Sequence, residues 1–514
     1  MATTISENNQ TEKNEKIVLD KFNEIFQDKY PSQKSIKPEI ETWEDLIDSM
    51  VKATKKPTID IGNAILDLKE KRILFYKDCF IYSKYLPEIK PKEEIKEYSP
   101  ESIKEMSLKE LQDILGLTVK HDNTNKIITF LSMLNAFTED SQFNISFRSI
   151  SATGKSYIPI EEAQLFPKDS LMKIAYASPT SFWHDQSIWN PDEQVLEMNL
   201  ERKIIIFIDQ PHDILLQRLR PLLSHDDKKL NIKITDRKEK YGIRTKTVRI
   251  IGFCSVIFCT GSLRMEEQES TRSFLLSPET TQEKIRESIE LKIKKDSNTM
   301  QFLDWINSDK RRLLLKERIE QIRNAGINYI IVDEEEIKKR FFENRKFLKP
   351  RDTRDVGRLI CLIKGLALFN LWYKKRDDKG NLIASDKDID EGFKIWNDIA
   401  VSQELGISPY IYRMFKEVIE PLLLKVNSGI TRKEITANHF KKYGRAVSEE
   451  QLRKEILPSL ESVGLIYQEP DPIDKRKMLI YPTVEPPVLK ANDVHFPKEN
   501  NERLDNERLD NIGG

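Results

Sequence analysis

The sequence predicts an α/β fold, a parallel sheet with helices on both faces, built around a phosphate-binding loop. Three segments predict it. In residues 143–156, Phe143, Ile145 and Phe147 alternate with polar residues and lead into a small-residue turn that ends in Gly154-Lys155-Ser156. In residues 203–210, KIIIFIDQ, five consecutive apolar residues end at Asp209, as in a strand buried on both faces. A second such strand, Ser255-Val256-Ile257-Phe258-Cys259, ends in Thr260-Gly261-Ser262.

The chemistry explains the residue types. Backbone N–H groups of Ser151, Ala152, Thr153, Gly154, Lys155 and Ser156 can cradle phosphate oxygens, Lys155 reaches the terminal phosphates, and the Ser156 hydroxyl ligates magnesium. Gly154 admits a backbone conformation closed to other residues. The pattern GxxxxGK[ST] lacks its first Gly, because Ser149 stands five residues before Gly154. Ligands of parallel sheets sit at the carboxyl ends of strands, which sets Asp209 opposite Ser156 across the metal. Thr260, at the end of the neighbouring apolar strand, can hold the water that attacks a γ-phosphate. ATP and Mg2+ are the expected ligands.

At 514 residues the chain is too long for one core and suggests three or four units. Lys+Arg and Asp+Glu both number 84, so a nucleic-acid site must be a local patch and not a property of the whole molecule. Cys79, Cys254, Cys259 and Cys361 lack CxxC spacing and read as buried thiols of a reducing compartment. No apolar stretch approaches the roughly 18 residues of a membrane span, and the first 16 residues are polar. The expectation is a cytoplasmic protein with no membrane partner.

Residues 1–15 are expected to be disordered and 16–123 to form a mostly helical N-terminal domain. Its aromatic cluster (Phe75, Tyr76, Phe80, Tyr82, Tyr85) is either helical packing or a base-stacking surface. The nucleotide-binding core is expected over 124–290, a helical linker and lid over 291–426, and a tail ending in the repeat NERLDNERLD over 486–514. His184 reads as a loop histidine.

Between Asp226 and Arg249 lie nine Lys/Arg against four acids, and alternation in LNIKIT and RTKTVRI flanks a turn at 239–242. That predicts a basic β-hairpin. Lys233, Arg237, Lys238, Lys240, Arg244 and Lys246 are its candidate DNA-binding residues; the competing reading is an edge hairpin whose lysines discourage aggregation. Arg272 lies twelve residues after Thr260, before the apolar run 274–276, where a guanidinium at a subunit edge can stabilise charge on a neighbour's phosphate. Arg354 opens an apolar helix and can reach back to the nucleotide, or belong to a helix-start charge network. Residues 427–485 read helix, helix, two-stranded wing, a winged helix that contacts either DNA or protein.

The order of these features, with the blocks LRPLLSHD, RTKTVRIIGFCSVIFCT, QESTRSFLLSPE and RDTRDVGRLICLIKGLALF, resembles AAA+ ATPases of the minichromosome-maintenance-like group. The nearest in kind are the primase-associated and replicative-helicase-like ATPases of viruses and integrated mobile elements. The resemblance covers about residues 124–485. It implies an ATP-dependent DNA helicase or translocase, a homo-oligomeric hexameric ring, and single-stranded or forked DNA as partner. It assigns Lys155 to the phosphates, Ser156 and Asp209 to the metal, Thr260 to the water, Arg272 to a finger acting on the neighbouring subunit and Arg354 to a lid sensor. Gln210 departs from the Glu usual after the acid, and an amide cannot accept a proton from water. Either Asp213 or Glu269 replaces it or hydrolysis is slow. The alternative from another class is an ATP-gated DNA-binding initiator or regulator that unwinds nothing; a structural P-loop relic is the third reading.

Overall fold

The computed structural model describes residues 17–18, 21, 43–55, 58–70, 74–77, 80–83, 100–178, 187–190, 193, 195–236, 244–263, 270–343, 345, 347–426 and 428–483. The chain divides into two compact units, Met1–Tyr98 and Ser99–Gly514.

The first unit contains helices Trp43–Thr54 and Thr58–Glu70, then β1 (Leu74–Lys77) paired antiparallel with β2 (Phe80–Ser83). Within a region expected to be mostly helical, this corrects the reading of the aromatic cluster as helical packing, because Phe75, Tyr76, Phe80 and Tyr82 lie on a strand pair. A short aromatic and β-branched run carries no period long enough to separate strand from helix. The boundary also falls at 98/99, not 123/124, so helix Leu108–Leu115 belongs with the sheet.

The second unit is organised on a five-stranded sheet of β3 (Asn144–Arg148), β4 (Leu171–Ile174), β7 (Ile204–Phe207), β10 (Ser255–Thr260) and β11 (Ser273–Leu276). The order is β11-β3-β10-β7-β4, with every pairing parallel. Alternation in β7 and β10 splits two cores. Ile204, Ile206, Ile257 and Cys259 face a cluster with helices Asn123–Asn135 and Asp352–Phe369, while Ile205, Phe207, Val256 and Phe258 face helix Asp213–Ser224. Both faces are therefore covered by helices, the condition under which parallel strands read as continuous apolar runs. The second core is completed by a four-stranded sheet, β5-β6-β9-β8, of β5 (Ile188–Asn190), β6 (Val195–Asn199), β8 (Lys229–Asp236) and β9 (Arg244–Ile251).

β3 differs from its neighbours. Ile145 and Phe147 fill the first core, but its other face carries the buried polar residues Asn144, Ser146 and Arg148. Asn144 explains part of this: its Nδ2 donates to the carbonyls of Leu223 (2.9 Å) and Arg272 (3.2 Å), and its Oδ1 accepts from the Val256 N–H at 3.2 Å. One side chain thus ties the carboxyl end of helix Asp213–Ser224 to the amino ends of β10 and β11.

Towards the carboxyl end, helix Asp386–Leu405 ends at Gly406, and Pro409–Met414 continues through a wide π turn, Phe415–Ile419, into Glu420–Leu423. Helix Arg432–Tyr443 follows, capped by Thr431 and Glu434, then segments Glu449–Gln451, Leu452–Ile456 and Leu457–Ser462. Strands Ile466–Pro470 and Met478–Pro482 close the described chain as an antiparallel pair. A hydrophobic cluster containing Ile411, Phe415, Ile435, Leu452, Leu460 and Ile480 joins these elements.

Candidate nucleotide site

Because β10 lies between β3 and β7 in the sheet, the ends of three adjacent strands bring together the phosphate loop, Thr260 and the acid of residue 209. The loop has two unusual backbone positions, Ala152 with φ 63° and Gly154 with φ 92°. A side chain at Gly154 would meet no atom but would force a conformation that L residues rarely adopt. Glycine is required there by backbone, not by space. The Thr153 hydroxyl ties the loop by donating to the Ile150 carbonyl at 3.0 Å.

Lys155 folds over the same loop, and its Nζ donates to the Ile150 carbonyl at 2.8 Å. Burial depresses its ammonium below the usual lysine range, opposed by Cys259 and Asp209, while the positive charge of Arg445 adds to the depression. Asp209 is exposed and one of its oxygens accepts the Gln210 N–H at 2.8 Å. Thr260 is buried; its hydroxyl donates to the Gln210 side-chain carbonyl and accepts the Ser262 N–H at 3.1 Å. The Gln210 carbonyl is therefore engaged, which leaves its NH2 to meet a water as a donor. A cavity of about 20 Å3 beside Gln210, Thr260, Arg148 and Ser146 has room for one water. Asp213 begins a helix, and Glu269 lies outside the described residues, as does His184.

Next to the loop opens a cavity of about 480 Å3, a volume suited to a nucleotide-sized ligand. Val119, Ile158 and Ile285 give it apolar walls, and Tyr410, Tyr443 and Arg445 close it from the carboxyl-terminal part of the chain. Tyr410 lines it, and its hydroxyl is buried and without a hydrogen-bond partner among the described residues. The residues fit a magnesium nucleoside triphosphate: a lysine and loop amides for phosphates, a Ser156 hydroxyl and an Asp209 carboxylate as hard oxygen donors, and an adjoining cavity. Magnesium held by only one or two protein oxygens plus phosphates and water is the usual arrangement, and the described residues contain no cluster of three or more metal-ligating side chains. When bound, the ion neutralises charge on the transferring phosphate.

Arg272 and Arg354 are elsewhere. β11 and β3 run parallel with Ser273 opposite Asn144, so Arg272 stands at the amino edge of the sheet. The phosphate loop leaves the carboxyl edge, a separation of roughly 15 Å at 3.3 Å per residue. Arg272 Nε donates to the Ser224 hydroxyl at 2.9 Å, and Arg354 donates to the Thr271 hydroxyl. The expectation that Arg354 reaches its own chain's nucleotide is thereby corrected. The start of helix Asp352–Phe369 holds a charge network instead, in which Arg351 and Arg358 engage Asp355.

The basic hairpin has the expected strands, with Lys229 opposite Ile251 and Asp236 opposite Arg244. Arg237, Lys238 and Lys240 lie outside the described residues, and Arg244 is described by its backbone alone. Lys233 is exposed and Lys246 half-buried. Among the described residues, Lys228 pairs with Glu139 at 2.6 Å and Arg249 with Glu193 and Glu197. Sequence reading missed Val119, Tyr410, Tyr443 and Arg445. They come from three distant segments with no motif, and only the fold unites them.

No protein-family model matches the chain, and no curated protein matches it. Among solved structures it is similar to a candidate ATPase of Cytophaga hutchinsonii, at 16% identity over 62% of this chain and 94% of that one, with a TM-score of 0.31. It is also similar to a full-length MCM homologue from Methanopyrus kandleri, at 10% identity over 63% of this chain and 65% of that one, with a TM-score of 0.36.

Proposed function

We propose that the protein is a magnesium-dependent ATPase of AAA+ type that works as a homo-oligomeric ring, six-membered in the group it resembles, and moves along or separates DNA strands. The observation that carries this is the division of the catalytic set. Lys155, Asp209 and Thr260 gather at one edge of the sheet, where Ala152, Thr153 and Gly154 of the same loop line the 480 Å3 cavity, while Arg272 and Arg354 stand at the other edge. A site split in this way is completed by a second copy. Arg272, and Arg354 with it, then stabilise charge on the neighbour's phosphate, and Thr260 with Gln210 orients the attacking water.

DNA is the proposed partner of the hairpin. Lys233, Arg237, Lys238, Lys240, Arg244 and Lys246 are the residues that would neutralise backbone phosphates of single-stranded or forked substrate. Charge reversal at Lys238 and Lys240 should weaken DNA binding and lower the slope of log affinity against log salt by about 2, near one per lost phosphate contact. An unchanged slope would return the hairpin to an edge-protecting role. The helices and strand pair of 427–485 supply a winged helix in this reading, and replication of a virus or mobile element is the setting suggested by the sequence blocks.

A second reading is supported by Gln210: with an amide in place of the usual acid after Asp209, nucleotide fixes an assembly on DNA without unwinding. Displacement of the labelled strand from a forked duplex tests the choice. Displacement with ATP and none with a non-hydrolysable analogue supports the motor; retention of the duplex by bound protein under both conditions supports the ATP-gated binder.

A further inference from the structure

The carboxyl-terminal elements form part of the wall of the nucleotide site. Ile150, at the start of the phosphate loop, and Leu263, three residues past Thr260, are both buried in the hydrophobic cluster of Ile411, Phe415, Ile435 and Leu452. The Leu263 N–H donates to Glu455 Oε2 at 2.7 Å, and Arg445 Nη1 donates to the Ser151 carbonyl at 3.3 Å. Both loops that carry catalytic groups are therefore held from residues 430–482.

Arg445 is itself well anchored. It follows Gly444, whose φ of 67° ends helix Arg432–Tyr443, and its carbonyl accepts a 2.6 Å hydrogen bond from Nδ1 of the buried His439. Tyr443 is fixed in turn by donating to Glu417 Oε2 at 2.6 Å. The guanidinium is exposed, and a long bond to a carbonyl in water contributes little by itself. Yet Arg445 lines the same cavity as Gly154 and lies near enough to Lys155 to disfavour its charge. Two cations facing one loop repel each other, and an anion between them removes the repulsion and adds charge-assisted hydrogen bonds.

We propose that Arg445 closes the nucleotide site in its own chain, so that a bound nucleoside triphosphate locks residues 430–482 onto the phosphate loop and the loop after Thr260. This rests on the reading of 149–156 as a phosphate loop. By linkage, a partner that engages the carboxyl-terminal elements changes nucleotide affinity by the factor by which nucleotide changes affinity for that partner.

The test uses the full chain, magnesium and adenylyl imidodiphosphate, with binding measured by calorimetry and backbone hydrogen exchange followed over 430–447. The wild type should exchange this segment roughly tenfold more slowly with the analogue bound, and Arg445→Ala should bind it about tenfold more weakly and lose that protection. Arg445→Lys, which keeps the charge, should recover part of both. Binding without protection in the wild type, or full affinity in Arg445→Ala, overturns the proposal and leaves the phosphate loop intact. No binding by the wild type overturns both.

Discussion

Arg272→Ala should bind ATP as the wild type does and hydrolyse it about 10³- to 10⁵-fold more slowly, the contribution of arginine fingers in other nucleotide hydrolases. The separation of effects follows from its place. Arg272 stands at the amino edge of β11 beside Ser224, a strand length from the loop that contains Lys155. Its own pocket keeps every group that contacts nucleotide. Mixing Arg272→Ala with Lys155→Ala makes the comparison decisive, because some interfaces then pair an intact loop with an intact arginine. Turnover should return in the mixture although each parent is inactive. If subunit exchange is verified and the mixture stays inactive, action across the interface is refuted.

Lys155→Ala should fail to bind ATP at concentrations that saturate the wild type. Lys155 is the only cation in residues 149–156, and its loss removes a charge-assisted contact to the phosphates. Stability without nucleotide should change by no more than about 0.5 kcal/mol, as for other half-exposed sites away from the core. The readout is therefore the rise in melting temperature with nucleotide. Ligand at a hundred times its Kd stabilises the wild type by about 2.7 kcal/mol, and this increment should vanish in the variant. An equal rise in both proteins would remove Lys155 from the site.

The sheet was legible because its strands are buried on both faces: 204–208 and 255–259 could hardly be anything else. The candidate site edge followed, since Gly154-Lys155-Ser156 and Asp209 each come after a strand of that sheet and Thr260 ends one. The hairpin strands also announced themselves by alternation. β5 and β6 did not, because IWN and VLEMN are too short and mixed to show a period. β1 and β2 were read as helix for the same reason. Arg354 misled because its helix start was legible while the direction of its side chain depends on Thr271, 83 residues away in the chain. Arg445 and Tyr410 were invisible for a related reason: an exposed arginine after a helix and a tyrosine within one acquire meaning only when the fold sets them on a cavity.

The direct measurement of ATP hydrolysis coupled to DNA is magnesium-dependent ATP turnover by the full chain with and without single-stranded DNA. Such coupling predicts turnover that requires magnesium, rises when DNA is added, and is lost in Lys155→Ala. Nucleotide binding with no turnover under either condition would contradict it and leave an ATP-gated binder as the function of this site.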